Sequence, residues 1–133
     1  MKRIDTACVI DDDQIYTFGI KKLMAITEFS NHIMIFKNGD EALKYLKPVI
    51  EDAESLPDVI LLDLNMPIID GWQFLDAFIK FKLAKKVTIY IVSSSIDTND
   101  YEKAAKYSIV NNFFVKPIRK DDLQRIMEDY AAR

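Results

Sequence analysis

Five side chains of this sequence form a chemically coherent set: the adjacent carboxylates Asp11 and Asp12, the carboxylate Asp63, the hydroxyl of Ser93 and the ammonium of Lys116. Each follows a short apolar run, at residues 6–10, 59–62, 87–92 and 113–115 respectively. Crowded carboxylates repel and raise one another's pKa unless something positive neutralises them. A hard divalent cation with oxygen ligands does so, and Mg²⁺ suits a site that keeps waters and shares its shell with a phosphate. Lys116 adds a compact point charge. No histidine base, cysteine or glycine-rich phosphate loop accompanies the set. The chemistry that fits is an aspartate acting as nucleophile towards phosphorus, with metal, hydroxyl and lysine stabilising charge on the transferred oxygens.

Groups so far apart in sequence meet only if the fold collects the ends of several strands. Residues 59–64 are apolar except for Asp63 and too short for a helix, which suits a strand covered on both faces. The runs at 6–10, 33–36, 87–92 and 113–115 read the same way. Between them the spacing lengthens to the helical period: Ile15, Phe18, Gly19, Lys22, Leu23 and Ile26, then Ala42, Leu43 and Leu46, then Phe74, Leu75, Phe78 and Ile79. Tyr101, Ala104, Ala105 and Ile109 mark a weaker fourth helix, and Leu123, Ile126, Met127 and Tyr130 a fifth. Asp13 reads as the cap of the first helix and Asn38 with Glu41 as a capping pair for the second. Residues 48–57 read as an exposed connection with room for an extra helical turn. Five strands alternating with five helices predict an α/β fold, a doubly wound parallel sheet with right-handed crossovers. Such sheets bind ligands outside the carboxyl ends of their strands, where the five groups stand.

With 133 residues and a formal net charge of −3, the chain is expected to be one domain spanning 1–133 with no room for a second folded unit. The acidic balance offers no footprint for nucleic acid or an anionic membrane. No apolar run reaches spanning length and the N-terminus is polar, so a soluble cytoplasmic protein is the expectation. Cys8, the one cysteine, reads as a small buried hydrophobe.

Asp11-Asp12, Leu61-Leu62-Asp63-Leu64-Asn65-Met66-Pro67 with Asp70-Gly71, Ser93, and Lys116-Pro117 together resemble the signature of two-component response-regulator receiver domains. The resemblance runs from Ile4 to about Tyr130. It is closest in kind to the stand-alone, chemotaxis-type members without an output domain. It implies a flavodoxin-like (βα)5 sheet of strand order 2-1-3-4-5. By position, Asp63 corresponds to the phospho-acceptor, served by a histidine kinase or a histidine phosphotransfer protein. Asp12 corresponds to a direct Mg²⁺ ligand, with Asp11 acting through water, Asp63 completing the carboxylates and Asn65 offering its backbone carbonyl. Ser93 and Lys116 correspond to the hydroxyl and ammonium that meet the phosphoryl oxygens. Ser93 and Phe113 correspond to the switch pair that alters the face of the fourth helix, fifth strand and fifth helix for a downstream protein.

Other residues read more plainly. Gly71 serves the turn before the third helix, Trp72 reads as packing with partner binding as the alternative, and His32 as a surface residue. The resemblance departs at residues 106–112, a bulkier connection than relatives carry, and Phe113 has no hydroxyl. Asn65 and Ser95 stand at positions that tune phosphoryl lifetime in relatives. Alternative functions are a phosphorelay intermediate that passes the phosphoryl group onward, an aspartyl-nucleophile phosphohydrolase, a binding module without phosphorylation and a flavin protein. The phosphohydrolase lacks room for a cap domain, and the flavin reading lacks a phosphate loop after the first strand.

Overall fold

The structure, a computed structural model, describes residues 3–94 and 97–132. Its strands are β1 (Ile4–Ile10), β2 (Ser30–Phe36), β3 (Val59–Leu62), β4 (Thr88–Ser93) and β5 (Val110–Val115). They alternate with helices α1 (Gln14–Thr27), α2 (Gly39–Leu46), α3 (Gly71–Phe78), α4 (Thr98–Ala104) and α5 (Lys120–Ala131). The strands form one parallel sheet in the order β2-β1-β3-β4-β5. This is the flavodoxin-like order that the resemblance implied.

Strand β3 and the middles of β1 and β4 are apolar because both their faces are covered. Alternate residues divide between two cores. Cys8, Ile10, Ile60, Leu62, Ile89 and Ile91 pack with α2 and α3. Ala7, Val9, Val59, Leu61, Tyr90 and Val92 pack with α1 and α5. Cys8 is buried, and burial pushes its thiol pKa far up, which leaves it an inert core residue. His32 is exposed on β2, as expected for a surface residue.

The helix starts follow their polar signals. The Asp13 side chain accepts from the N–H groups of Ile15 and Tyr16 at 3.0 and 3.1 Å. Asn38 accepts from the Glu41 N–H at 2.8 Å, but the Glu41 side chain reaches the N–H of Lys37 rather than that of Asn38. Asp70 and Gln73 form a reciprocal capping box at α3.

Four details differ from the sequence expectation. In α1 the helix is as predicted but its stripe is not: Ile15, Phe18 and Ile26 are exposed, while Thr17, Ile20 and Met24 face the sheet. The helix has apolar residues on two sides, and Thr17 can be buried because its hydroxyl donates to the Gln14 carbonyl at 3.1 Å. Helix α4 ends at Ala104, so Ile109 lies outside it. Strand β5 begins at Val110, because Val110 pairs with Ile89 and Asn112 with Tyr90 despite the poor strand propensity of asparagine, and Asn111 falls at the register shift between them. In the connection at 48–57 the expected extra turn is present as a 3₁₀ turn over Lys47–Val49, but Leu56 is fully buried rather than exposed.

Candidate functional site

The carboxyl ends of the strands deliver the predicted groups to one edge of the sheet. Asp11 follows β1 directly, and its N–H donates to the Phe36 carbonyl at 3.0 Å. Asp63 follows β3, and its N–H donates to the Ile10 carbonyl at 3.0 Å. These bonds extend the ladders one step beyond the strands and hold both carboxylates side by side. Carboxylate oxygens of Asp11, Asp12 and Asp63 lie within 4.8 Å of one another. Asp11 and Asp63 are buried, whereas Asp12 faces solvent.

Lys116 enters from the neighbouring strand pair. Its backbone N–H donates to the Ser93 carbonyl at 2.9 Å, which ties the lysine to the end of β4. Its Nζ lies 2.7 Å from Asp11 Oδ2 and 3.8 Å from Asp63 Oδ1. The lysine therefore pairs first with Asp11. Ser93 is fully buried at the end of β4. The Lys116–Pro117 peptide is cis.

The loop from Asn65 to Asp70 closes the site's other side. The Asn65 N–H donates to Asp63 Oδ1 at 3.4 Å, and the Asn65 side chain is exposed. Ile68 has a φ of 69°, a left-handed backbone that a β-branched residue adopts only under strain. Nothing in the sequence signals this, since propensity would place a glycine or asparagine there. Gly71 begins α3 rather than merely turning the chain before it. A Cβ built on it would sit 2.6 Å from the Asp63 carbonyl oxygen and 2.8 Å from Leu64 Cα. The start of α3 thus packs directly on the backbone that carries Asp63.

Phe113 is half-buried in β5, paired with Ile91, and its ring lies 4.2 Å from that of Tyr101 in α4. The connection from α4 to β5 packs against α3 through Tyr107. Tyr107 stacks on Trp72 at 5.9 Å and donates its hydroxyl to Asp76 at 2.6 Å, while Lys103 Nζ lies 4.6 Å from the Trp72 ring centre. Trp72 is half-buried packing, as one of its two readings had it. Ser95 lies outside the described residues.

The electrostatics follow from this geometry. Burial, then the Asp11 charge, pushes the Asp63 carboxyl up to about 6, with Asp12 adding to the rise and Lys116 and the Asn65 N–H opposing it. Burial also raises Asp11 above the ordinary carboxylate range, although Lys116 and the Asp13 N–H pull the other way. An all-oxygen cluster with unspent negative charge fits a hard divalent cation of the Mg²⁺ type rather than a thiolate- or imidazole-loving metal. Tyr16 was missed from sequence: Lys116 Nζ lies 4.3 Å from its ring centre. Its only signal was an aromatic residue in the first turn after the acidic pair.

Known proteins agree with this architecture. A two-component response regulator from Cytophaga hutchinsonii superposes with a TM-score of 0.89 at 28% identity, over 99% of this chain and 100% of that one. The probable methanogenesis regulatory protein FilR2 of Methanothrix harundinacea is 26% identical over 121 residues, 91% of this chain and 77% of that protein. The nitrate/nitrite response regulator protein NarL of Escherichia coli is 30% identical over 128 residues, 96% of this chain. This chain spans 55% of the length of NarL. Among the described residues no helix is long and apolar enough to cross a membrane. The response regulator receiver domain model matches residues 7–128. A parallel sheet in this order, with its acids and lysine at the strand ends and this match over nearly the whole chain, makes the protein a member of the response regulator receiver domain family.

Proposed function

We propose that Asp63 accepts a phosphoryl group from the phosphohistidine of a histidine kinase or histidine phosphotransfer protein. The observation that carries this is the placement of the Asp63 carboxylate, buried beside Asp11 and within 3.8 Å of the Lys116 ammonium, on the edge where parallel sheets bind ligands. An Asp63 oxygen attacks phosphorus as the P–N bond to the donor imidazole breaks. The imidazole leaves with the electron pair and is protonated, and an acyl phosphate remains on Asp63. Asp11, Asp12, Asp63 and the Asn65 carbonyl would hold Mg²⁺, which when bound neutralises the carboxylates and offsets charge on the transferred oxygens. Lys116 and Ser93 supply a charge and a hydroxyl to the same oxygens. Water later attacks the acyl phosphate and regenerates Asp63 with release of inorganic phosphate.

The output is non-covalent. Phosphorylation draws Ser93 towards the new oxygens and repositions Phe113, two residues earlier along the paired strand than Val115, which pairs with Ser93. The Phe113 contact with Tyr101 carries that change to α4. The face of α4, β5 and α5 then binds a downstream protein. We read residues 7–128 as a receiver domain that acts in the cytoplasm. Incubation with Mg²⁺ and a small phosphodonor should add one phosphoryl group by intact mass, and Asp63→Asn should abolish the gain. Unchanged mass in the wild type would sink the proposal.

A further inference from the structure

We infer that Tyr16 is a positioning residue for phosphoryl transfer, its ring face seating the Lys116 ammonium between Asp11 and Asp63; this rests on the phospho-acceptor reading of Asp63. Tyr16 is the third residue of α1, and its N–H donates to the Asp13 cap at 3.1 Å. The cap aims the first turn of α1 at the loop after β5, so that Tyr16 lines a shallow hollow of about 180 Å³ with Gly19, Pro117 and Ile118. From there its ring reaches Lys116 Nζ, 4.3 Å from the ring centre. The Tyr16 hydroxyl is buried and has no hydrogen-bond partner among the described residues. Tyr16 therefore meets the site through its face and not through its hydroxyl.

The need for such a seat follows from the charge arrangement. A lysine stem is long and flexible, and left alone it would carry its ammonium into water. Two carboxylates draw it inward on one side, at 2.7 and 3.8 Å. Asp11 is also a member of the carboxylate cluster that suits a cation, so its hold on Lys116 weakens when that cluster binds one. The electron-rich ring face remains as an attraction that no cation at the cluster competes for. It keeps the ammonium facing the oxygens that arrive on Asp63.

The test replaces Tyr16 by phenylalanine and by phenylalanines with one, two and three ring fluorines, which keep the shape and progressively empty the ring face. Phosphorylation by a small phosphodonor with Mg²⁺ should stay within about twofold of wild type for Tyr16→Phe. It should then fall stepwise to about tenfold slower across the fluorinated series, the equivalent of ~1.4 kcal/mol. In a Lys116→Ala background the same series should be flat. A flat series with Lys116 present, or an equal decline without it, would overturn the inference. If the wild type accepts no phosphoryl group, the phospho-acceptor reading fails and the seat is read directly. Ring current should shift the Lys116 side-chain methylene protons upfield in the unphosphorylated protein, and Tyr16→Leu should remove the shift. An unshifted wild type would overturn the seat by itself.

Discussion

The ammonium of Lys116 lies 2.7 Å from a carboxylate oxygen of Asp11, about an ångström closer than the 3.8 Å that separates it from Asp63. The resting site thus spends its lysine on Asp11 and leaves Asp63 only partly neutralised. Burial and then the Asp11 charge raise the Asp63 carboxyl to about 6, and the more distant ammonium offsets that rise only in part.

Asp63→Asn should stabilise the metal-free protein, and more so at high pH. The folded Asp63 pKa of about 6 lies above its ordinary 3.8, so ionisation in the folded state works against folding once pH passes through that window. Stability from this group is fully present below 3.8 and lost as pH rises through about 6. Removing the charge should therefore add on the order of 2 kcal/mol at pH 8 and little at pH 4. Thermal melts of both proteins across that range check the difference. Equal shifts at both ends would contradict the assignment.

Mg²⁺ should lower the Asp63 midpoint, because a cation favours the ionised form. Carboxyl carbon resonances followed by pH titration should place it near 6 without metal and well below that with saturating Mg²⁺. Phosphorylation at subsaturating Mg²⁺ should rise with pH through the same window. A rate independent of pH from 5 to 8 would disprove the link.

Lys116→Met should move the site in the opposite direction from Mg²⁺. With the ammonium gone, Asp63 loses a group that holds its pKa down and should titrate above 6. Phosphorylation by a small donor should slow at least tenfold, the scale of losing one stabilising charge in a partly buried site. A wild-type rate would show that Lys116 serves only to pair Asp11.

Gly71→Ala and Gly19→Ala should part company. The first places a methyl against backbone atoms at 2.6 and 2.8 Å, which cannot yield as a side chain can, and should cost about 1–3 kcal/mol. Because those atoms belong to Asp63 and Leu64, phosphorylation should fall as well. Gly19 has nothing within 4 Å of such a methyl and lies inside α1, so alanine there should add about 0.5–1 kcal/mol and leave phosphorylation unchanged. Denaturant melts and intact mass read the two effects.

Lys85→Met should lower stability without touching phosphorylation. Lys85 Nζ donates to Asp58 Oδ1 at 2.8 Å, and the other Asp58 oxygen accepts from the N–H groups of Asp5 and Thr6 at 3.0 Å. Burial alone would raise Asp58, but these partners hold its carboxyl below the usual range. A lowered carboxylate contributes stability above 3.8 that is lost as pH falls through its folded value. The variant should lose about 1–3 kcal/mol at pH 7 and less as pH falls through the folded value below 3.8, with an unchanged phosphorylation rate. Slower phosphorylation would show that this pair, which joins the chain before β4 to the chain before β3, reaches the site.

Alternating strands and helices, and the residue types of the site, were legible in the order of amino acids alone. Strands buried on both faces must be continuously apolar, so Asp11, Asp63, Ser93 and Lys116 stood out as the places where four such runs stop. Parallel topology then required those stops to share an edge, and caps such as Asp13 and Asn38 were legible because they satisfy backbone groups only two or three residues away. Everything that depended on distance across the fold had to await tertiary structure. Which stripe of α1 is buried was decided by packing, since the helix offers apolar residues on two sides. Asn112 became strand because Tyr90 of the neighbouring strand supplied the ladder. The preference of Lys116 for Asp11, the raised pKa of Asp63, the left-handed Ile68 and the ring of Tyr16 against the ammonium are relations between residues far apart in the chain or bent by their surroundings. Local pattern records what a residue is; only the packed structure sets which charge it meets and at what distance.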